Sequence, residues 1–178
     1  MSNVLSFKTT DDLDNIGENT VCVVEFTKDF DEAEVQARDI LSHGKPCAVI
    51  TNEAPGRNKN GCYHNAVGVN TTAVEPKYDA LFKLCQSMGI YNLSIGDLGN
   101  EIGMAAIEQH IREYIPYAGK NGCKAGTGYG ILADTAADNI ITATCSDWGC
   151  NALMAATAFM LGKPELFHSK EDQATAMD

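Results

Sequence analysis

The stretch IYNLSIGDLGNEIGM, residues 90–104, decides the fold. Its first half, Ile90 to Ile95, is apolar and follows Gly89, as a buried strand does. Its second half turns polar and glycine-rich at once, placing Asp97, Asn100 and Glu101 just past the strand end. Two other segments have the same form. Pro46–Thr51 (PCAVIT) predicts a strand that runs into EAPGR, residues 53–57, and GCYHN, residues 61–65. Asp138–Cys145 (DNIITATC) predicts a strand that runs into SDWGCN, residues 146–151. A fourth apolar, β-branched run, Thr20–Phe26, predicts one more buried strand.

Between these runs the apolar spacing is helical. Helices are predicted over Phe30–His43, from Pro76 to Gly89, from Asn100 to about Tyr114, and over Asp147–Leu161. Residues 52–75 and 116–130 have no helical period; the second carries five glycines and reads as a loop or flap. Apolar strands alternating with helices predict an α/β fold: a three-layer α/β/α arrangement with a mostly parallel sheet, short and Rossmann-like. The length of 178 residues suits a single domain over 1–178, with residues 1–19 and 168–178 loose.

Composition narrows the function. The chain carries 13 basic against 24 acidic residues, a net charge of −11, and no basic stripe, which argues against a nucleic-acid partner. No run approaches the ~18 apolar residues of a membrane span. Met1 to Asp14 lacks the apolar core of a secretory signal, so a cytoplasmic location is expected. Seven cysteines, odd in number and without a CxxC pair, fit free thiols in a reducing compartment. An uncovered sheet edge makes a homodimer the expected assembly.

In open parallel sheets, ligands sit beyond the C-terminal strand ends. All three polar segments fall there. Arg57 suits bidentate binding of a carboxylate, and His64 suits acid–base chemistry near neutral pH. Asp97 and Glu101 place two carboxylates at one turn, where they share a proton or hold a hard cation. Helix N–H groups near Asn100 suit an anion. Equally, each acidic residue serves as a helix cap facing water, and Ser146 or Asp147 is a natural N-cap. The lone Trp148 reads as a packed, water-excluding wall beside the site.

Together, EAPGR…GCYHN, SIGDLGNEIGM and CSDWGCNAL resemble the C-terminal-type domain of the D-glutamate cyclase family, over about residues 46–153. Leu98 stands where the family usually has glycine, and Asp147 where it usually has asparagine. Family domains of this type are usually longer on the N-terminal side. The resemblance implies a carbon–oxygen lyase that closes D-glutamate to 5-oxo-D-proline and water. Its small-molecule carboxylate substrate requires a base for the ammonium proton, an acid for the leaving oxygen, and partners for the oxyanion. Asp97, Glu101 and His64 are the candidate catalytic residues. Glu53, Arg57, Asn100, Ser146 and Trp148 are the candidate substrate contacts. No cofactor is demanded by these residues. Mg2+ or Mn2+ on Asp97, Glu101 and Asp147 is the cation that would relieve their repulsion. A metal-dependent hydrolase or phosphate-handling enzyme, and a non-catalytic ligand-binding module, use the same residues and stand as alternatives.

Overall fold

The computed structural model describes residues 7–177. It divides into two compact units, one of residues up to Glu25 together with those from Asn151, the other Phe26–Cys150.

The larger unit is a parallel α/β structure. It holds α1 (Phe30–Ser42), β3 (Ala48–Asn52), α2 (Tyr78–Ser87), β4 (Tyr91–Gly96), α3 (Glu108–Tyr114), β5 (Asn139–Thr142) and the first turn of α4 (Ser146–Leu161). The three strands form one sheet in the order β3-β4-β5, all parallel. The PCAVIT, YNLSIG and NIITATC runs therefore lie side by side as expected. Register pairs Ile50 with Leu93 and Leu93 with Asn139, so the three strand ends finish close together.

Packing follows the apolar stripes. Asp29 caps α1 by accepting the N–H groups of Asp31 and Glu32. Ala33 and Ala37 of α1 pack with Phe26 against Ala80, Leu81 and Leu84 of α2. Phe82 of α2 then meets Ile102, Val49 and Ile140 on the sheet. On the other face a Cβ at Gly149 would lie 2.7 Å from Ile95 and 3.2 Å from Ile141, so only glycine lets the first turn of α4 sit so close to the strands.

The smaller unit departs from expectation. Thr20–Phe26 is not one buried strand. Only Thr20–Cys22 is extended, as β2, paired in parallel with β1 (Lys8–Thr10), and Val21, Val23 and Val24 are exposed. β-Branched residues favour extended backbone, but burial requires a covering face: the three valines are exposed, and only Phe26, already part of the larger unit, is covered, by Ala33 and Ala37. Residues 168–178, expected to be loose, carry a helix, α5 (Lys170–Met177).

The second departure matters for function. Residues 100–104 are not helical. Glu101 bridges Pro55, Gly103 and Met104 bridge Ala136, and the first α-helical residue is Glu108, after a short 3-10 turn at Ala105–Ile107. Of the residues that suggested helical spacing, Ile102 is buried in an extended segment, while Ala105 and Ala106 belong to the 3-10 turn, with Ala106 exposed. Gly103 shows why a helix cannot form: its φ is +98°, and its Cα passes so close to Ser94 that an added Cβ would lie 2.3 Å from the serine Cβ. Gly103→Ala is expected to destabilise the fold by about 2–4 kcal/mol, combining overpacking with a left-handed backbone. Gly44→Ala, with open space around it, should stay within about 1 kcal/mol of the parent. Urea unfolding midpoints compare the two; equal shifts would sink the argument from close approach.

Candidate functional site

The glycine turn after β4 is organised by one side chain. Glu101 is 2% exposed, and its carboxylate accepts the backbone N–H groups of Asp97 (3.4 Å), Leu98 (3.2 Å) and Gly99 (2.7 Å). The anion-binding turn foreseen from sequence exists, but the protein supplies its own anion and no helix N-terminus takes part. Gly96 makes the room: a Cβ there would lie 2.9 Å from Glu101 Cδ.

Glu53 reaches the same point from the end of β3. Its φ is +51°, a left-handed backbone that costs a non-glycine residue on the order of 1–2 kcal/mol. Its N–H donates to the carbonyl of Ile95 on the neighbouring strand (3.2 Å), which ties the strained residue to β4. Glu53, Asp97 and Glu101 each bring a carboxylate oxygen within 4.8 Å of the others. From the start of α4, past the end of β5, buried Ser146 hydrogen-bonds the Glu53 side chain, and Asp147 acts on Glu53 through its charge.

The electrostatics follow from crowding. Burial raises the pKa of Glu53; the Ser146 hydroxyl opposes the rise, and the charges of Asp97 and Asp147 add to it. Burial raises Glu101 too, against the backbone N–H groups that favour its anion, and the Glu53 charge pushes the same way. Each glutamate thus holds its proton more tightly than in an unfolded chain.

Beside Asp97 opens a cavity of about 370 Å3, lined also by His110, Thr142, Thr144, Met104 and Ile111. Three of these residues escaped the sequence reading. Thr142 ends β5 and Thr144 follows it, a strand-end position that is a usable signal; His110 lies in α3, where the sequence offers none.

The other expected site residues lie as follows. The Arg57 guanidinium Nε is 3.0 Å from Asp79 Oδ2, and Arg57 lines a separate cavity of about 360 Å3 with Tyr63, Lys77 and Lys83. Asn100 spends its side-chain amide on the carbonyl of His64 (3.1 Å). The His64 ring is fully buried beside Cys123 and Thr127. Trp148 is 64% exposed and walls off nothing, because the close approach of Gly149 to the sheet occupies that helix turn's inner face. Glu53, rather than Asp147, completes the three-carboxylate group.

A family model described as D-glutamate cyclase-like, C-terminal, matches residues 7–178. The chain belongs to this family. It is 31% identical over 109 residues to human D-glutamate cyclase, mitochondrial, an alignment covering 61% of this chain and 16% of that protein. The chain thus matches only about a sixth of that relative's length. Among the described residues no helix is long and apolar enough to cross a membrane.

Linkage gives the carboxylate crowding a sign. Because the folded pKa values of Glu53 and Glu101 are raised, the stability they contribute is complete below the ordinary glutamate value of 4.5 and is lost as pH rises through the folded values. Glu53→Gln keeps an acceptor for Ser146 and removes a charge. It should raise the melting temperature at neutral pH and match the parent near about pH 4. A melting temperature unchanged at neutral pH would show that the carboxylates do not repel.

Proposed function

We propose that the chain acts as a lyase that closes D-glutamate to 5-oxo-D-proline with release of water. The observation that carries this reading is the meeting of Glu53, Asp97 and Glu101 beside a cavity large enough for a five-carbon amino acid. The family membership and the name of the human relative supply the substrate.

Ring closure forms a bond from the amine nitrogen to the side-chain carboxyl carbon and breaks one C–O bond. The ammonium must first lose a proton, and the leaving oxygen must gain protons to depart as water. Asp97, at the cavity wall, is placed to take the ammonium proton. The Glu53–Glu101 pair, with both pKa values raised, is the proton reservoir for the leaving oxygen. Thr142, Thr144 and His110 are the polar partners available to the α-carboxylate. A dianionic substrate would be repelled by three bare carboxylates; a shared proton and the substrate's own ammonium reduce that repulsion. The reading includes a homodimer, supported by the exposure of Phe159 and Met160 at 84% and 80%, and a cytoplasmic location, supported by the free thiols.

Incubation with D- and L-glutamate followed by chiral analysis of 5-oxoproline tests the reaction. Asp97→Asn should lower kcat by about 10²–10⁴-fold, the usual contribution of an acid–base group, with the melting curve retained. Full turnover in that variant would remove Asp97 from the mechanism.

A second reading, a metal-dependent hydrolase, is favoured by the same carboxylate spacing. Three oxygens within 4.8 Å of one another suit Mg2+ or Mn2+ over zinc, since no cysteine or histidine belongs to the group. Glu53, Asp97 and Glu101 would hold the ion, which would neutralise the site and polarise a bound oxygen. A resident ion should raise the melting temperature in a saturable way that EDTA reverses, and phosphate esters should then turn over while D-glutamate does not. A melting temperature indifferent to Mg2+, Mn2+ and EDTA would exclude it.

A further inference from the structure

Away from the carboxylates, the structure builds a thiol centre that the proposed reaction does not use. Cys123 lies in the glycine-rich segment 116–130, 6% exposed, with Sγ 2.8 Å from His64 Nε2 and 2.9 Å from Thr127 Oγ1. Thr127 Oγ1 lies 3.3 Å from the same imidazole nitrogen, closing a three-membered cluster of sulfur, hydroxyl and ring. His64 Nδ1 is buried without a well-formed hydrogen bond. Burial lowers the His64 pKa and so favours the neutral ring, against an opposing contribution from the Cys62 carbonyl.

The backbone favours a negative sulfur. Burial alone would raise the Cys123 pKa. The Thr127 hydroxyl and the N–H groups of Thr127, Ala125 and Gly126 outweigh it and lower the pKa below the ordinary thiol range. Elsewhere Cys62 Sγ meets the Asn60 carbonyl at 3.7 Å and Cys145 Sγ donates to the Asp147 carboxylate at 3.9 Å, contacts with no imidazole in them. Burial raises both Cys85 and Cys150. The cations nearest in sequence are engaged elsewhere. Lys59 pairs with Glu108, and Lys120 and Lys124 lie over the rings of Tyr129 and Tyr117.

We propose that Cys123 is a redox modification site that takes hydroperoxides, with His64 as the proton carrier. The sulfur attacks one peroxide oxygen, the S–O bond forms and the O–O bond breaks. His64 Nε2 accepts the thiol proton and passes it to the departing hydroxide, which leaves as water. Sulfur is oxidised by two electrons, hydrogen peroxide is reduced, and the product is a sulfenic acid whose oxygen can take the N–H groups that faced the thiolate. Near-complete burial selects for a reagent as small as hydrogen peroxide. The added oxygen has little room, so oxidation must push Thr127 away and loosen a segment otherwise pinned by the Asn58 amide to the carbonyls of Gly128 (3.1 Å) and Gly130 (2.9 Å). The proposal is independent of the lyase reading.

The test exposes the full chain to limiting hydrogen peroxide near neutral pH with dimedone present, and maps adducts over the seven cysteines by peptide mass spectrometry. Cys123 should be labelled first. Thr127→Val and His64→Gln should each slow that labelling roughly ten-fold, the effect of one pKa unit on the thiolate fraction. Thr127→Val removes only a hydroxyl and decides the matter if His64→Gln fails to fold. First labelling at exposed Cys47 with Cys123 untouched, or an unchanged Cys123 rate in folded Thr127→Val, would overturn the proposal.

Discussion

The buried Glu101 carboxylate, held by three successive backbone N–H groups, is the interaction on which the rest of the larger unit turns. A buried charge is tolerated only when its lone pairs are satisfied, and the turn at residues 97–99 does this with main chain alone. Everything around it accommodates that contact. Gly96 gives up its side chain to admit the carboxyl group. Residues 100–104 run extended, bonded to the 54–56 segment through Gly56 N–H to Asn100 O (2.8 Å) and Ile102 N–H to Ala54 O (2.8 Å). The helix is thereby delayed to Glu108. A helix beginning at Asn100 would have pointed its own N–H groups outward and left Glu101 on a surface turn.

The parallel sheet then adds charge to this point. Strand register brings the ends of β3 and β5 level with β4, so Glu53 and Ser146 arrive at a carboxylate already in place. Glu53 accepts a left-handed backbone to do so, an expense that a surface glutamate with no neighbours to meet would have no reason to bear. Burial first, and the neighbouring charges second, raise the pKa of both glutamates, and that is the property on which both a proton reservoir and a cation site draw.

The sequence carried the sheet plainly. Three apolar runs, each ending in a polar turn, marked its strands, although only the central β4 is buried along most of its length and Ile50 of β3 is 55% exposed. The sequence also carried two of the three grouped carboxylates, Asp97 and Glu101, because they sit just past a strand end; Asp147 was expected in the third place, which Glu53 takes. It did not carry the partner choices. Arg57 has the chemistry to bind a substrate carboxylate, but Asp79 in the first turn of α2 offers a carboxylate inside the protein, and nothing local in either segment announces that pairing. Trp148 follows the same logic, since which face of a helix turn is covered depends on the close contact made by its neighbour Gly149. Thr20–Phe26 shows the limit most simply: propensity is written in the run itself, whereas burial is decided by elements far away in the chain.

Asn100 links the two chemical centres of the larger unit. Its backbone carbonyl accepts from Gly56 and its side-chain amide donates to the carbonyl of His64, whose ring meets Cys123. The residue that looked like a substrate contact is therefore a strut between the carboxylate turn and the loop beneath the 116–130 segment. The residue is 9% exposed and its amide is bonded, so a ligand could recruit it only by breaking a buried hydrogen bond. The two centres share no side chain, and Asn100, bonded through its carbonyl to Gly56 and through its amide to His64, is the residue that stands between them.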